Sequence, residues 1–411
     1  MANENDLVAS IDIGTSKVVV LIAEPEDGVM RVLGHGVCDS EGVKRGSITD
    51  PNLVARAIKR AAKRAYKNFK SDIINVSVNI SDPHLTVVNR EGHISVSGNR
   101  VTRDDVELAI KTASATPTPA NKQVLESCCI PNRFAIDSNE DMIVVDKPVG
   151  LEAKVLGAQM HIVSVSNQSI GNIQKSIEKS GFGLNQIILD SMSNSEVFVS
   201  QDEKDNGVCV VDIGAGVTNY SVFTNGGITY SDIVQIAGND VTQNIAYSFD
   251  TSFDEAERLK KEYGRAQIKH SIKDRLVRFE QTNSTEDKYL SNYSLIEVIG
   301  TSLDQLFNTI KKNIKAQKLD RSIKSGFILT GGSSLLPGFE ELFRNSFKIR
   351  TKLVVLYNNK IKGQEVIITN PMYSSAMGLV LYYDEEIYFD ETILEPETNI
   401  LGIFKEKLLN F

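Results

Sequence analysis

The chain has 411 residues, a formal net charge of −8 and four cysteines, Cys38, Cys128, Cys129 and Cys209. That length accommodates at least two domains with their own cores, and the acidic balance excludes general nucleic-acid binding, because the phosphate backbone would be repelled. The cysteines have no Cys-x-x-Cys spacing, the start Met1–Asp6 lacks the character of a signal peptide, and no apolar run approaches the ~20 residues of a spanning helix, so a reduced, cytoplasmic protein is expected.

In chain order, Val8–Ile13 and Lys17–Ile22 read as two strands around an Asp12-Ile13-Gly14 turn, and Met30–Val37 as a further strand pair. Asp50-Pro51 starts a helix whose apolar face (Leu53, Val54, Ala57, Ile58, Ala61, Ala62, Ala65) opposes a basic one (Arg56, Lys59, Arg60, Lys63, Arg64, Lys67). That basic face reads as solvated, with an anionic membrane surface or a partner as the sharper alternative. Ile74–Ile80 alternates as a strand, Thr86–Val88 and His93–Val96 read as separate short strands, and Thr102 caps a helix running to Ala115. Strand-like pieces follow at 124–130, 133–137, 142–145 and 155–165. A helix over Ser169–Ser180 ends at Gly181, a strand occupies Ile187–Leu189, and a helix is expected over Ser193–Ser200.

The second half opens with Val208–Ile213, the Gly214-Ala215-Gly216 turn and the alternating Tyr220–Phe223. Helices follow after Gly238 and over Phe253–Tyr263, then a polar segment with Lys273, Arg275 and Arg278, and a long helix over Leu295–Lys315. Phe327–Thr330 leads into a third turn, Gly331-Gly332-Ser333, and Met372–Tyr382 is the last helix before an acidic stretch, Asp384–Glu397, with no Lys or Arg.

Glycines in such turns let backbone N–H groups approach a phosphate, and an acid just before the turn can hold a hydrated cation against it. Each turn alone reads as well as a plain hairpin. Two Asp-Ile-Gly turns followed by Leu329-Thr330-Gly331-Gly332-Ser333-Ser334-Leu335-Leu336-Pro337-Gly338, in that order, resemble the actin, Hsp70 and sugar-kinase superfamily. The resemblance implies an α/β, actin-like two-lobed ATPase fold closing on ATP and Mg²⁺. Gly14, Thr15, Ser16 and Lys17 would face the terminal phosphates, with Gly214, Ala215, Gly216, Val217, Thr218 and Asn219 opposite. Asp12 and Asp212 would hold the metal through water, and Gly331, Gly332 and Ser333 would lie against the adenosine.

Within that superfamily the whole chain resembles FtsA, the bacterial cell-division actin homologues, through Gly42-Val43-Lys44-Arg45-Gly46, the helix before Pro117 and Pro119, Pro148–Leu151 with His161-Ile162-Val163, and Ala256–Lys260 before Tyr263-Gly264. The resemblance implies that Glu257 and Lys260 serve the ribose and adenine near Gly238, where the plainer reading is an i,i+3 surface ion pair. Small residues at Ala376 and Gly378 would let two helices cross at the hinge between the lobes. The second clamp departs from the family's common Gly-Gly-Gly-Thr-Thr-Asp: Val217 removes a hydroxyl and Asn219 a carboxylate. No general base stands out, so weak or absent hydrolysis is expected, with no catalytic residue assigned.

At ~100° per residue Ile400, Leu401, Ile403, Phe404, Leu408 and Phe411 share one arc, with Lys405 and Glu406 outside it and Lys407 inside it, reaching back to the surface. This short tail suits a membrane interface, with docking on the protein's own core as the alternative. The expected organisation is lobe 1 over 1–83, 162–195 and 368–383, an inserted SHS2-like α+β subdomain over 84–161, and lobe 2 over 196–234 and 301–367. A small subdomain over 235–300, an acidic linker over 384–398 and an amphipathic helix over 399–411 complete it. The resemblance implies a polymer at the cytoplasmic face of the inner membrane, at the midcell division site, that binds the C-terminal tail of the tubulin-like FtsZ and recruits later division proteins. Lys273, Arg275 and Arg278 are the candidate contacts for that acidic tail. The competing readings are a small-molecule kinase of the superfamily and an actin-like type IV pilus ATPase.

Overall fold

The computed structural model describes residues 7–66, 75–115, 118–125, 131–138, 141–268, 273–282, 284, 286–354 and 360–382. The amphipathic tail and its acidic linker lie outside the described residues, as does Lys67.

Strand β1 (Val8–Ile13) turns at Gly14 into β2 (Lys17–Glu26), and β3 (Val29–Asp39) completes an antiparallel meander. The segment read as a strand pair at 30–37 is therefore one long strand against β2. A small hairpin, β4 (Val43–Lys44) and β5 (Ser47–Ile48), leads to α1 (Pro51–Ala65), where the Asp50 carboxylate accepts from the Asn52 and Leu53 amides and Pro51 begins the helix. The buried side of α1 (Val54, Ala57, Ile58, Ala61) packs on the sheet, and β6 (Asn75–Ile80) adds parallel to β1.

The inserted unit follows: β7 (Thr86–Ser95), α2 (Arg103–Ser114), β8 (Lys122–Val124), β9 (Pro131–Ser138), β10 (Asp141–Val145) and β11 (Val155–Ser166). The two short strands read at 86–96 are one strand, because β7 pairs without interruption along β11 from Thr86 to Ser95. Helix α2 starts in a capping box between Thr102 and Asp105 and covers a core of Val106, Ala109, Leu156 and Met160.

The chain returns through α3 (Asn167–Ser180), capped by left-handed Gly181, to β12 (Gly183–Leu189), which pairs parallel with β6. Helix α4 (Asp190–Phe198) begins three residues earlier than the sequence suggests, and α5 (Gln201–Asn206) follows it after a break at Val199-Ser200, where Ser200 caps the new helix. Strands β13 (Val208–Ile213), β14 (Thr218–Thr224) and β15 (Gly227–Val234) form a second meander. Helices α6 (Gly238–Phe249) and α7 (Phe253–Tyr263), the hairpin β16 (Leu276–Phe279) and β17 (Lys288–Ser291), and α8 (Asn292–Ala316) come next. Strand β18 (Gly326–Thr330), a 3₁₀ turn at Gly332–Leu335, α9 (Phe339–Phe347) and β19 (Thr351–Leu353) complete lobe 2. Strand β20 (Ile361–Lys362), α10 (Glu365–Ile368), a 3₁₀ turn at Pro371–Tyr373 and α11 (374–382) close on lobe 1.

The two main sheets repeat one plan. The first runs β12-β6-β1-β2-β3-β20 and the second β19-β18-β13-β14-β15, each a three-stranded meander extended on its first strand by two parallel strands, with β20 added parallel to β3 at the far edge of the first. Both hairpin turns and the carboxyl ends of β6, β12 and β18 consequently meet at the cleft between the sheets, where open α/β sheets bind ligands. Helices α4 and α11 cross at that boundary in backbone contact: a Cβ on Gly378 would collide with the Ser193 carbonyl. Gly378→Ala should force the crossing apart and lower unfolding stability by about 1–3 kcal/mol, measured by urea denaturation.

Candidate functional site

Both glycine turns close identically, with Gly14 N donating to Lys17 O (3.0 Å) and Gly214 N to Val217 O (3.1 Å). Thr15, at the tip of the first turn, sits against Gly216 of the second, where a Cβ would collide with the Thr15 side chain. The Thr15 hydroxyl also accepts from Gly46 N (3.0 Å), while Ser16 is exposed. The third turn packs on the second. Gly331 holds φ 84, a conformation suited to glycine, and a Cβ there would collide with Asp212 Oδ1. Ser333 Oγ donates to Gly214 O (2.7 Å). Gly332 lies near the Lys17 ammonium.

The start of α6 is tied to the second turn by Gly238 N→Gly214 O (3.1 Å) and Asn239 N→Ala215 O (2.7 Å), and Thr218 Oγ1 donates to Ile236 O (2.8 Å). Glu257 and Lys260 form an i,i+3 pair at 2.6 Å, but it faces inward: Lys260 Nζ also donates to Gly238 O (2.9 Å) and Thr242 Oγ1 (2.7 Å). All three turns and the α6–α7 pair therefore converge, as the sequence order suggests.

At the centre lie Asp12, Asp212 and a third carboxylate, Asp190, all buried. Asn79 locks Asp12, donating Nδ2 to Asp12 Oδ1 (2.7 Å) while its Oδ1 accepts from Ile13 N (2.7 Å). Asn194 Nδ2 donates to Asp212 Oδ2 (2.7 Å), and Asn219 Nδ2 to Asp190 Oδ2 (3.0 Å). Ser81 Oγ also donates to Asp190 (3.3 Å), and Ser375 Oγ to Asp212 (3.4 Å). Burial and then the charge of Asp190 push Asp12 up to about 7 and Asp212 up to about 8; burial raises Asp190 as well. Burial lowers Lys17, against which the three carboxylates work to keep it charged.

Sequence reasoning missed Asp190, Asn79 and Asn194. Asp190 carried a readable signal, since Ile187-Ile188-Leu189-Asp190 is another apolar strand ending in an acid. It also sets a carboxylate beside Asn219, the position where the family pattern has one. Arg45 stands in the sequence reading only as part of the Gly42–Gly46 motif, with no role assigned; it spans the cleft from the β4–β5 hairpin, donating Nη1 to Gln235 O (2.7 Å) and Nη2 to Asp240 Oδ1 (2.9 Å).

Two buried acceptors, Asn194 Oδ1 and Asn219 Oδ1, have no hydrogen-bond partner, although the other end of each amide is fixed on a carboxylate. Unpartnered acceptors on the amides that hold the carboxylates suit the donor protons of water on a cation. Among the described residues no group of His, Cys, Asp or Glu is arranged to ligate a metal directly. The donor set thus fits a hydrated cation. The basic cluster near α7 is partly engaged: Arg278 pairs with Asp287 (2.6 Å), Arg275 lies over the Tyr263 ring (5.2 Å), and Lys273 is exposed.

A duplicated pair of sheets, two mirrored hairpin turns and a helix crossing between them define an actin-like protein. The chain superposes on the PilM component of a PilM–PilN type IV pilus biogenesis complex with TM-score 0.63 at 15% identity, covering 91% of this chain and 98% of that one. It superposes on MreB5 of Spiroplasma citri bound to ADP with TM-score 0.57 at 13% identity, covering 94% and 99%. The model of the family "Cell division protein FtsA" matches residues 209–378, and that of the "SHS2 domain inserted in FTSA" matches residues 83–164. The cell division protein FtsA of Pseudomonas aeruginosa is 31% identical over 377 residues, 92% of this chain and 89% of that protein. The chain belongs to the FtsA family and is an actin-like cell division protein.

The raised carboxylates give a pH dependence of known sign. Between the ordinary carboxylate range and about 8 the folded protein binds more protons than the unfolded chain, so stability falls as pH rises. Urea unfolding of the nucleotide-free protein from pH 5 to 8.5 should show this fall, and Asp212→Asn should flatten it.

Proposed function

We propose that this chain binds Mg²⁺·ATP between its lobes and polymerises as a peripheral tether that links FtsZ to the inner membrane. The observation that carries the reading is the meeting of three glycine turns around Lys17 and three buried carboxylates. Gly14, Thr15, Ser16 and Lys17 hold the terminal phosphates from lobe 1, and Gly214 through Asn219 hold them from lobe 2. Gly331, Gly332, Ser333, Gly238, Glu257 and Lys260 take the nucleoside. Asp12 and Asp212 hold the metal's waters, and the cation when bound neutralises phosphate charge. The ADP bound by the similarly folded MreB5 supports a nucleotide in this class. Hydrolysis is weak, since every described contact of the central carboxylates fixes them rather than freeing one as a base.

The inserted unit serves self-contact and later division proteins. The 235–300 subdomain receives the FtsZ tail, with Lys273 the freest of the three basic candidates. The tail over 399–411 anchors the subunit. One copy binds lipid weakly, and a polymer binds tightly through effective concentration. The subdomain boundaries given above are part of this proposal. Kinship with FtsA over most of the chain favours it above the kinase and pilus readings.

Gly216→Val should weaken ATP binding more than about tenfold, read by fluorescent-nucleotide titration, because a side chain cannot enter beside Thr15. The wild-type chain should sediment with anionic vesicles in the presence of ATP and carry FtsZ with it. Removal of residues 399–411 should abolish vesicle binding and leave nucleotide affinity unchanged; retention on vesicles by the truncated chain would refute the tether.

A further inference from the structure

The inserted unit is joined by chain only to lobe 1, between β6 and α3. In space it reaches lobe 2: β7, β9 and β11 lie against β15, the edge strand of the second sheet. The junction is polar. His161 on β11 stands opposite Asn89 on β7 and is almost wholly buried. Asn89 Nδ2 donates to Thr229 O of β15 (2.7 Å), which turns its Oδ1 toward His161 Nδ1 (2.7 Å). Burial lowers His161 to about 4, so the ring is neutral at neutral pH. Nδ1–H therefore donates to Asn89, and Nε2 accepts from the Ser231 hydroxyl of β15 (3.2 Å). Ser231 Oγ lies 2.9 Å from Ser221 Oγ, which donates to Ser191 Oγ (2.6 Å), the residue after Asp190. None of these groups is used by the nucleotide reading.

Two features make this junction separable. Its contacts are hydroxyl, amide and imidazole groups that water satisfies equally well, the composition of interfaces that move. Its lobe 2 side also belongs to the cleft. Strand β15 runs directly into the segment that carries Gln235, Gly238, Asn239 and Asp240, which is bonded to the second clamp and to Arg45. A displacement of that clamp moves the surface on which the insert rests.

We propose that the inserted unit is a latch on the state of the cleft: it docks on β15 through His161 and Asn89 while the lobes are drawn together on a nucleotide, and leaves β15 when they part. The inference rests on the nucleotide reading above and adds its transmission to the insert. By linkage, loosening the latch weakens nucleotide retention.

The test is pulsed dipolar spectroscopy on the full chain carrying Cys128→Ser and Cys129→Ser, with spin labels at Lys111→Cys on α2 and Lys312→Cys on α8, both exposed positions. Nucleotide occupancy is measured in the same samples with a fluorescent ATP analogue. Mg²⁺·ATP should give one narrow distance, and nucleotide removal should add a longer one. His161→Ala should show the longer distance even with ATP bound and release nucleotide about 5-fold faster or more; His161→Gln, which keeps hydrogen-bonding capacity, should restore part of the docked population. Ser231→Ala, from the opposite side of the junction, should act in the same direction if His161→Ala fails to fold. An unchanged narrow distance with and without verified nucleotide overturns the latch, as does an unchanged distance in these variants. Absence of nucleotide from the wild-type protein overturns instead the binding reading on which the latch rests.

Discussion

Three carboxylates buried around one ammonium govern this molecule. Asp12, Asp190 and Asp212 repel one another, and Lys17 neutralises only part of their charge. Such a cluster persists only where the surrounding structure over-determines it. Here each acid is gripped by an amide from a different element: Asn79 on β6, Asn194 on α4 and Asn219 on β14. The duplicated sheets bring those elements to one place, so the fold and the site are a single constraint. Two of the three amides, Asn194 and Asn219, keep a buried oxygen without a partner, able to accept from a donor brought to the site.

The same economy explains the ties between lobes. Lobe 1 reaches across the cleft through Arg45, and its insert reaches across through Asn89 and His161; all three land between Thr229 and Asp240 of lobe 2. That stretch is also bonded to the Gly214–Ala215 turn. One strand and the first turn of one helix thus carry the contacts of both Arg45 and the insert with lobe 2. Arg45 holds a positive φ of 45 to make its reach, local strain set against two hydrogen bonds.

Much of this was legible in the residues, for identifiable reasons. Strand–Asp–Ile–Gly–strand units announce themselves because an apolar run, an acid and glycine must be contiguous to form a phosphate-facing hairpin, and helices such as Phe253–Tyr263 are marked at both ends by their caps. Long-range partners were not legible. Asp190 begins a helix whose first inward residues are serine and asparagine, with apolar burial only at its end in Val197 and Phe198, so no hydrophobic period marks its start and the boundary of α4 is misplaced for the same reason. Arg45 and His161 act on residues 195 and 70 positions away, a relation that only the topology creates. The long β7 was divided in two because Asn89–Gly92 is polar, whereas its pairing with β11 is made by the backbone and is indifferent to side chains.

Helix α4 lies buried where the two sheets meet. Nearly all of it is out of contact with solvent, yet ahead of Val197 and Phe198 its buried residues are Ser191, Ser193, Asn194 and Ser195. Ser193 and Ser195 satisfy their hydroxyls on carbonyls of the same helix, Asp190 O and Met192 O, at 2.8 Å each. What faces Gly378 is the Ser193 backbone, while Met192, Val197 and Phe198 make the apolar contacts of the same helix with α11. Small side chains thus admit the close crossing of the two helices, while Asn194 on Asp212 and the Ser221–Ser191 hydroxyl pair stitch α4 to the second sheet.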